Sequence, residues 1–381
     1  MKTKKNILVL TDWYLPAYKA GGPVKSLAAL AYHLKDDYNF YILTSNKDAF
    51  SKTALPVKPN EWVVLPNNEK VYYLSDEKIT LSKLAEVIST NEFDYVYLNS
   101  FFSKYFSIYP LLLKKQGKIK KPVVLAPRGM LGEGALSLKS KKKNLFITLS
   151  KLSGIHKNII WHATSQQEVE EIKKTFGTNA EIQLASNLIL PPAIQRTDYI
   201  KNTGEVKICF ISRISKKKNL LFALEILKEI KEGKIIFDVY GPPEDEAYYK
   251  ACVEFSKNLS PNIAVSFKGD VKPLEVEAIL KQYHIFFLPT LNENFGHAIV
   301  EAMLNGCIPL ISDQTPWKNL KKNGLGWDIA LSDKSAFIAA IKDLLLINNF
   351  QFESQSIKIQ QFANEKCKDK GHIEAYKHLF K

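Results

Sequence analysis

The sequence predicts an α/β protein made of two doubly wound, Rossmann-like domains that face a central cleft. Three observations carry that expectation. Short apolar runs alternate with amphipathic helical stretches along the chain. The runs are nearly continuous in apolar residues rather than alternating, as in parallel strands buried on both faces. The alternation also comes in two similar sets, separated by a polar stretch with a Pro-Pro pair, LILPPAIQRTDYIKNTG (Leu188–Gly204). A length of 381 residues accommodates two such domains with full cores. The expected division is 1–190, a linker at 191–204, and a second domain at 205–361.

Composition narrows the class. Hydrophobic residues make up 46% and charged residues 24%, an ordinary balance for a globular chain. No apolar run approaches the roughly 20 residues that span a bilayer. The start, MKTKKNILVLTDWY, superficially suggests a signal peptide, but Ile7–Leu10 is too short and Asp12 interrupts it. The four cysteines, Cys209, Cys252, Cys307 and Cys367, have no paired spacing, which suits free thiols in a reducing cytoplasm. The net charge of +14 favours a polyanionic partner: anionic lipid, nucleic acid or a phosphorylated substrate. Charge alone does not choose among them. A nucleic-acid reading lacks a zinc motif, an RNP-like strand and interleaved basic-aromatic stripes.

In order along the first half, Asn6–Thr11 reads as a buried strand. A loop from Pro16 to Gly22 leads to a helix with Val24, Leu27, Ala28, Leu30 and Ala31 on one side. Gly21-Gly22 before a helix start suggests a close-contact or anion site, with a plain turn as the alternative. Strands follow at Asn39–Leu43, in two short pieces within Lys58–Tyr73, at Asp94–Leu98 and at Pro122–Ala126. A helix covers Leu81–Ile88. Arg128 follows a strand's carboxyl end, where open α/β sheets bind ligands, with a surface ion pair as the alternative. Leu136–Leu152 mixes lysines with leucines. It reads either as a basic amphipathic helix on an anionic membrane face or as a helix packed on its own domain with a solvated lysine face. Trp161–Ser165 is a short strand. Ser165 with Glu168 then forms a capping-box pattern that accounts for both residues.

The second half restarts with a strand at Val206–Ile211. Arg213 and Lys218 follow it, before a helix from about Asn219. Two cations just beyond a strand end suit a diphosphate. Ile235–Tyr240 is a strand, and the acidic run Glu244-Asp245-Glu246 suits the helix start behind it. That run is not a metal-binding DxD placed directly at a strand end, and no metal or other cofactor is expected. Ala264–Lys268 is a further strand.

His284–Pro289, the helix opening near Phe295–His297 and Ile308–Ser312 form a βαβ unit. Glu293 precedes the helix, and Glu301 lies roughly 6 Å further along its axis at about 1.5 Å per residue. Between them, the backbone N–H groups around Asn294, Phe295, Gly296 and His297 offer an anion site, and glycine at 296 permits close approach. The order is polar group, anion, polar group, as in sugar, diphosphate, ribose. The plain alternative is a solvated Glu293 and a single polar Glu301 on a buried helix. A helix at Lys334–Leu346 closes the domain.

The stretch ENFGHAIVEAMLNGCIPLISD resembles the E-x7-E signature region of family 4 glycosyltransferases, a retaining group with the GT-B fold. Arg213 and Lys218 are similar to that family's R-x4-K pair. The resemblance implies that Glu301 holds the ribose hydroxyls, that Glu293 lies by the donor sugar, and that Arg213 and Lys218 neutralise the diphosphate as it leaves. It implies a glycine-rich contact at Gly21 and Gly22, a base contact near Lys268 and Gly269, and an acceptor side at Arg128. Where the family often has histidine after a first-domain strand, this chain has Asn99 and Ser100, so Asn99 is carried as an acceptor-side residue. The resemblance also implies that a final helix, 362–381, crosses back to the first domain, and that the segment from Ser165 to Glu168 closes the cleft, which leaves it a minor site role beside capping.

The expected activity is metal-independent, retaining transfer of a sugar from a nucleotide-diphosphate donor to a hydroxyl acceptor. That acceptor is expected to be a lipid-linked or growing surface glycan. The expected location is cytoplasmic, with an anionic inner membrane face as a further partner. The alternatives are another GT-B enzyme, such as a sugar-nucleotide epimerase or a phosphorylase, and a nucleic-acid-binding protein motivated by charge alone.

Overall fold

The computed structural model of the chain describes residues 4–381, except 91, 133–134, 137–139, 193–196 and 199. The chain divides into two compact units, Met1–Leu190 with Asp369–Lys381, and Pro191–Lys368.

The first unit holds a sheet in the order β3-β4-β2-β1-β5-β6-β7-β8. Its strands are β1 (Lys5–Leu10), β2 (Tyr38–Ser45), β3 (Trp62–Val64), β4 (Lys70–Leu74), β5 (Tyr95–Asn99), β6 (Val123–Ala126), β7 (Ile160–Ala163) and β8 (Ile182–Leu184). Pairing is parallel except between β3 and β4 at the edge. The central strand β1 shows why its run Ile7–Leu10 is apolar throughout. Ile7 and Val9 enter one core with Leu27 and Leu30, while Leu8 and Leu10 enter the other with Leu98 and Leu125. Both faces are covered from Ile7 to Leu10, so the polar residues of β1, Lys5 and Asn6, are confined to its half-buried start.

The covering helices are α1 (Gly22–Leu34), α2 (Leu81–Ser89), α3 (Tyr109–Lys115), α4 (Ser140–Ser153) and α5 (Gln166–Phe176). α4 supplies most of the helix expected over 136–152; of that stretch, 137–139 lie outside the described residues. The short edge strand β8 had no distinguishing run in the sequence.

The second unit holds a parallel sheet in the order β11-β10-β9-β12-β13-β14. Its strands are β9 (Glu205–Ile211), β10 (Lys234–Tyr240), β11 (Ile263–Gly269), β12 (Ile285–Leu288), β13 (Ile308–Ser312) and β14 (Trp327–Ile329). Its helices are α6 (Leu220–Lys228), α7 (Glu246–Ser256), α8 (Pro273–Leu280), α9 (His297–Leu304), α10 (Lys334–Leu346) and α11 (Asn349–Cys367). α8 was not expected. Its weakly amphipathic PLEVEAIL buries only Leu280, so it left little periodic signal.

The helix expected over 362–381 is two helices. α11 ends at Cys367, and α12 (Lys370–Leu379) restarts where the Asp369 carboxylate accepts from the N–H groups of Gly371 and His372. α12 belongs to the first unit, where Tyr376 and Leu379 join the core beside Ile7 and Val9. All four cysteines are buried free thiols. Among the described residues, no helix is long and apolar enough to cross a membrane.

Candidate active site

In the second unit the chain runs from β9 outward to β10 and β11, then returns to β12 on the other side of β9. The loops after β9 and β12 therefore leave the sheet as neighbours, where the strand order reverses. Crevices at such reversals, outside the carboxyl ends of the strands, are where open parallel sheets bind ligands.

The loop after β9 carries Arg213 and a 3-10 turn at Lys216–Lys218, and then Asn219 in the left-handed region at φ 59°. That turn aims the Lys217 carbonyl at the loop after β12. It accepts from Leu291 N at 2.8 Å and from Thr290 Oγ1 at 3.1 Å. Held this way, the Lys218 ammonium forms an ion pair with Glu293 Oε1, and each side chain is only 13% exposed. Glu293 is fixed from behind, since its N–H donates to the Gln314 carbonyl at 2.9 Å.

Arg213 Nη1 pairs with Glu244 Oε2 at 3.1 Å, beyond the end of β10. Burial pushes the Lys217 amine below its usual range. The neighbouring Lys218 and Arg213 charges push the same way, while Glu293 and Glu244 oppose them. Two cations and two carboxylates thus act on one amine, and they define a compact charged cluster at the strand ends.

The next turn starts α9. Gly296 is buried, with φ 80° and ψ 55°, and its carbonyl accepts from Ile299 N at 2.9 Å. A Cβ there would lie 2.8 Å from Ile299 Cδ1, the movable end of a side chain, so it is chiefly the left-handed dihedral that favours glycine. The first amides of a helix have no intrahelical acceptor and carry the positive end of its dipole. The Phe295 carbonyl accepts from Trp317 Nε1 at 2.6 Å, and the Phe295 ring packs on His297 at 4.7 Å and on Trp317 at 5.8 Å. These contacts fix the loop that presents Asn294 and the helix start. Glu301 is half-buried, one turn further along α9.

Lys268 and Gly269 lie at the end of β11, two strands from β9. Lys268 Nζ is 3.7 Å from Asp238 Oδ1, away from the Lys218–Glu293 pair. Gly269 is tied to the site through its carbonyl, which accepts from Gly241 N at 2.7 Å. Gly241 in turn abuts the β9 loop, where a Cβ would meet Ser212 O at 2.0 Å.

In the first unit the strand order reverses at β1, between β2 and β5. Gly21 and Gly22 head α1 in the loop after β1, and a Cβ on Gly21 would meet open space. Asn99 ends β5, and Arg128 follows β6 with φ 58°. The two are in contact: Arg128 Nε and Nη2 donate to Asn99 Oδ1 at 3.0 and 2.8 Å. Arg128 Nη1 donates to Asn187 Oδ1 at 2.5 Å, and Nη2 to the Tyr97 hydroxyl at 2.9 Å.

Tyr97 donates onward to His162 Nδ1 at 2.7 Å, because His162 Nε2 faces the Ala185 carbonyl at 2.8 Å and carries the ring's proton. Burial first, and the Arg128 charge second, push His162 down to about 3. The ring is therefore a neutral relay of hydrogen bonds that orients Arg128. Asn99 Nδ2 is buried with no protein acceptor.

Glu168 corrects the capping-box expectation. Ser165 does accept from Glu168 N, but the Glu168 carboxylate turns elsewhere. It accepts from Gly129 N at 2.6 Å, and from Thr164 N and Oγ1 at 2.7 and 2.8 Å. It thereby anchors the turn that carries Arg128.

Sequence reasoning missed Glu244 as the partner of Arg213, and Asn187, Tyr97 and His162 around Arg128. Glu244 had a faint signal, an acid directly after a strand and Gly-Pro-Pro. The others carried none, because their pairing depends on which strands lie side by side. Among the described residues, no group of three His, Cys, Asp or Glu side chains could hold a metal ion.

The chain is similar to known proteins in part of its sequence and in its fold. Residues 193–358, which cover most of the second unit, match the family described as Glycosyl transferases group 1. A Klebsiella pneumoniae protein, described as an uncharacterized 41.2 kDa protein in a cps region, is 20% identical over 305 residues, 78% of this chain and 81% of its own. Sucrose-phosphate synthase from Thermosynechococcus elongatus superposes with a TM-score of 0.70 at 16% identity, over 99% of both chains. Anabaena HepE, solved in complex with UDP and glucose, superposes with a TM-score of 0.70 at 14% identity, over 98% of both chains. The fold is that of the GT-B glycosyltransferases, with two parallel-sheet Rossmann-like domains, and the group 1 glycosyl transferase match falls on the second.

Proposed function

We propose that this chain is a retaining, metal-independent glycosyltransferase of the family 4 type, which moves a sugar from a nucleoside-diphosphate donor to a hydroxyl acceptor. The observation that carries the reading is the Lys218–Glu293 pair, which joins the β9 and β12 loops where the strand order reverses, with Arg213 in the same field. Nucleotide in the HepE structure supports a nucleoside-diphosphate donor, and makes UDP-sugars the first to test. The relative from a cps region favours a surface-glycan acceptor, lipid-linked or growing.

In this reading the donor's diphosphate lies against the first amides of α9, with Arg213 and Lys218 on its oxygens. Glu301 accepts hydrogen bonds from the ribose hydroxyls. Glu293 orients the sugar and, through its ion pair, holds Lys218 in place. Gly21 and Gly22 contact the phosphate or the acceptor, Lys268 and Gly269 border the base, and Arg128 with Asn99 serves the acceptor side. The bond from the anomeric carbon to phosphate oxygen breaks as the acceptor oxygen bonds to that carbon on the same face. The acceptor's proton passes to the departing diphosphate. Catalysis is then positioning and charge stabilisation, with no covalent intermediate.

The test is incubation of the full chain with a panel of UDP-, GDP-, ADP- and dTDP-sugars, with and without glycan acceptors, followed by mass spectrometry and NMR. Acceptor-dependent release of nucleoside diphosphate with a retained anomeric configuration is expected. Epimerised donor without acceptor, phosphate-dependent cleavage, or an inverted product would overturn the assignment.

A further inference from the structure

Residues 95–167 hold thirteen lysines and arginines against one acid, Glu133, so +12 of the chain's net +14 falls in this stretch. The stretch contains α4, whose inward face is anchored by Ile147 and Ser150. Its outward face is apolar as well. Leu145, Leu149 and Leu152, at i, i+4 and i+7, are 60%, 55% and 80% exposed. They share one stripe of the helix. Lys141 and Lys142 flank that stripe one turn earlier, and both are exposed. At the other end, Lys115 Nζ donates to the Ser153 carbonyl at 2.9 Å and Lys114 Nζ to the Lys157 carbonyl at 3.2 Å, so two more lysines gather where α4 stops. Beside that end lies a recess of about 710 Å³, whose charged lining is three lysines, Lys151, Lys157 and Lys174, and one acid, Glu181.

We propose that the outward face of α4 docks this chain onto an anionic lipid bilayer, with the three leucines in the acyl boundary and the surrounding lysines, including those of the recess, on lipid phosphates. Leucine without charge would fit any apolar partner, and lysine without leucine any polyanion. Exposed leucines at helical spacing, in a stretch of chain with thirteen cations and one acid, fit a surface that is apolar below and anionic above. The proposal is independent of the donor reading, since it concerns the first unit alone and needs no nucleotide.

The test is cosedimentation of the full chain with vesicles of pure phosphatidylcholine and of phosphatidylcholine with 30% phosphatidylglycerol, without nucleotide. Binding to the anionic vesicles and not the neutral ones is expected, weakening as salt rises. Each near-surface lysine contributes about a factor of five. Lys141→Glu/Lys142→Glu/Lys151→Glu is therefore expected to lower partitioning at least a hundredfold, and Leu145→Ser/Leu149→Ser/Leu152→Ser at least tenfold. Lys321→Glu/Lys322→Glu/Lys368→Glu, on the second unit, should partition as wild type. Circular dichroism of each variant checks folding. Equal binding to neutral vesicles, no vesicle binding, retention on heparin without vesicle binding, or wild-type partitioning of the folded leucine variant would overturn the proposal.

Discussion

Replacing Lys218 by methionine separates the two roles assigned to its ion pair. The change leaves the Glu293 carboxylate without its cation at 13% exposure, and the Glu293 backbone, tied to Gln314, keeps it from turning out to water. Losing one partner of a fully buried pair costs about 3–5 kcal/mol, and an exposed pair is worth about 0–1 kcal/mol. At this exposure the expected loss is about 2 kcal/mol. For a unit of this size that lowers its melting transition by about 4–8 °C. Glu293→Gln keeps a hydrogen-bond acceptor and leaves a lysine long enough to reach solvent, so about 1 kcal/mol is expected. In Lys218→Met/Glu293→Gln no charge is stranded, and the double variant should be more stable than the summed single losses by about 1–2 kcal/mol. Transfer should not recover with it. Loss of one charge-stabilising group typically lowers kcat by about a hundred- to a thousandfold, and the double variant still lacks the ammonium. Urea unfolding measures the cycle, and initial-rate kinetics with a UDP-sugar measures kcat. Additive stabilities, or a double variant as active as wild type, would refute the reasoning.

Three further outcomes follow from other parts of the structure. Gly241→Ala sets a Cβ 2.0 Å from the Ser212 carbonyl oxygen at φ 132°, and neither backbone can yield, so a loss above about 3 kcal/mol in urea unfolding is expected. Gly296→Ala, at φ 80° and against a movable Ile299 side chain, should cost about 1–2 kcal/mol and weaken nucleotide binding in calorimetry. His162 is held neutral, with its folded pKa lowered to about 3 against about 6.5 unfolded. Its contribution is therefore fully present above about pH 6.5 and is lost as pH falls from there towards 3. His162→Gln should lose melting temperature less steeply than wild type between pH 6.5 and pH 4.

The strand–helix alternation was legible because parallel strands covered on both faces must be apolar where they are covered, as Ile7–Leu10 of β1 and all of β12 are. Edge elements were not, because β8 and α8 bury little. The break between α11 and α12 was missed because only two residues, Lys368 and the capping Asp369, separate the two helices. In the site, Lys218 and Glu293 were legible from loop position, since both follow strand ends in a pattern that predicts adjacency. Their direct pairing was not, because it depends on the left-handed Asn219 and on the Lys217 carbonyl that stitches the loops. Glu168 was misread for a related reason. A capping pattern is local, whereas the Gly129 amide that claims its carboxylate lies on another strand's loop.

The central claim is that one nucleoside diphosphate binds where the β9 loop, the β12 loop and α9 meet, and calorimetric titration tests it most directly. UDP, GDP, ADP and dTDP would each be titrated into wild type and into Arg213→Met, whose Glu244 partner is exposed enough to stay solvated. The account predicts one saturable site for at least one of the four, with affinity reduced at least tenfold in the variant. No measurable binding of any of them to wild type, or equal affinity in the two proteins, would contradict it.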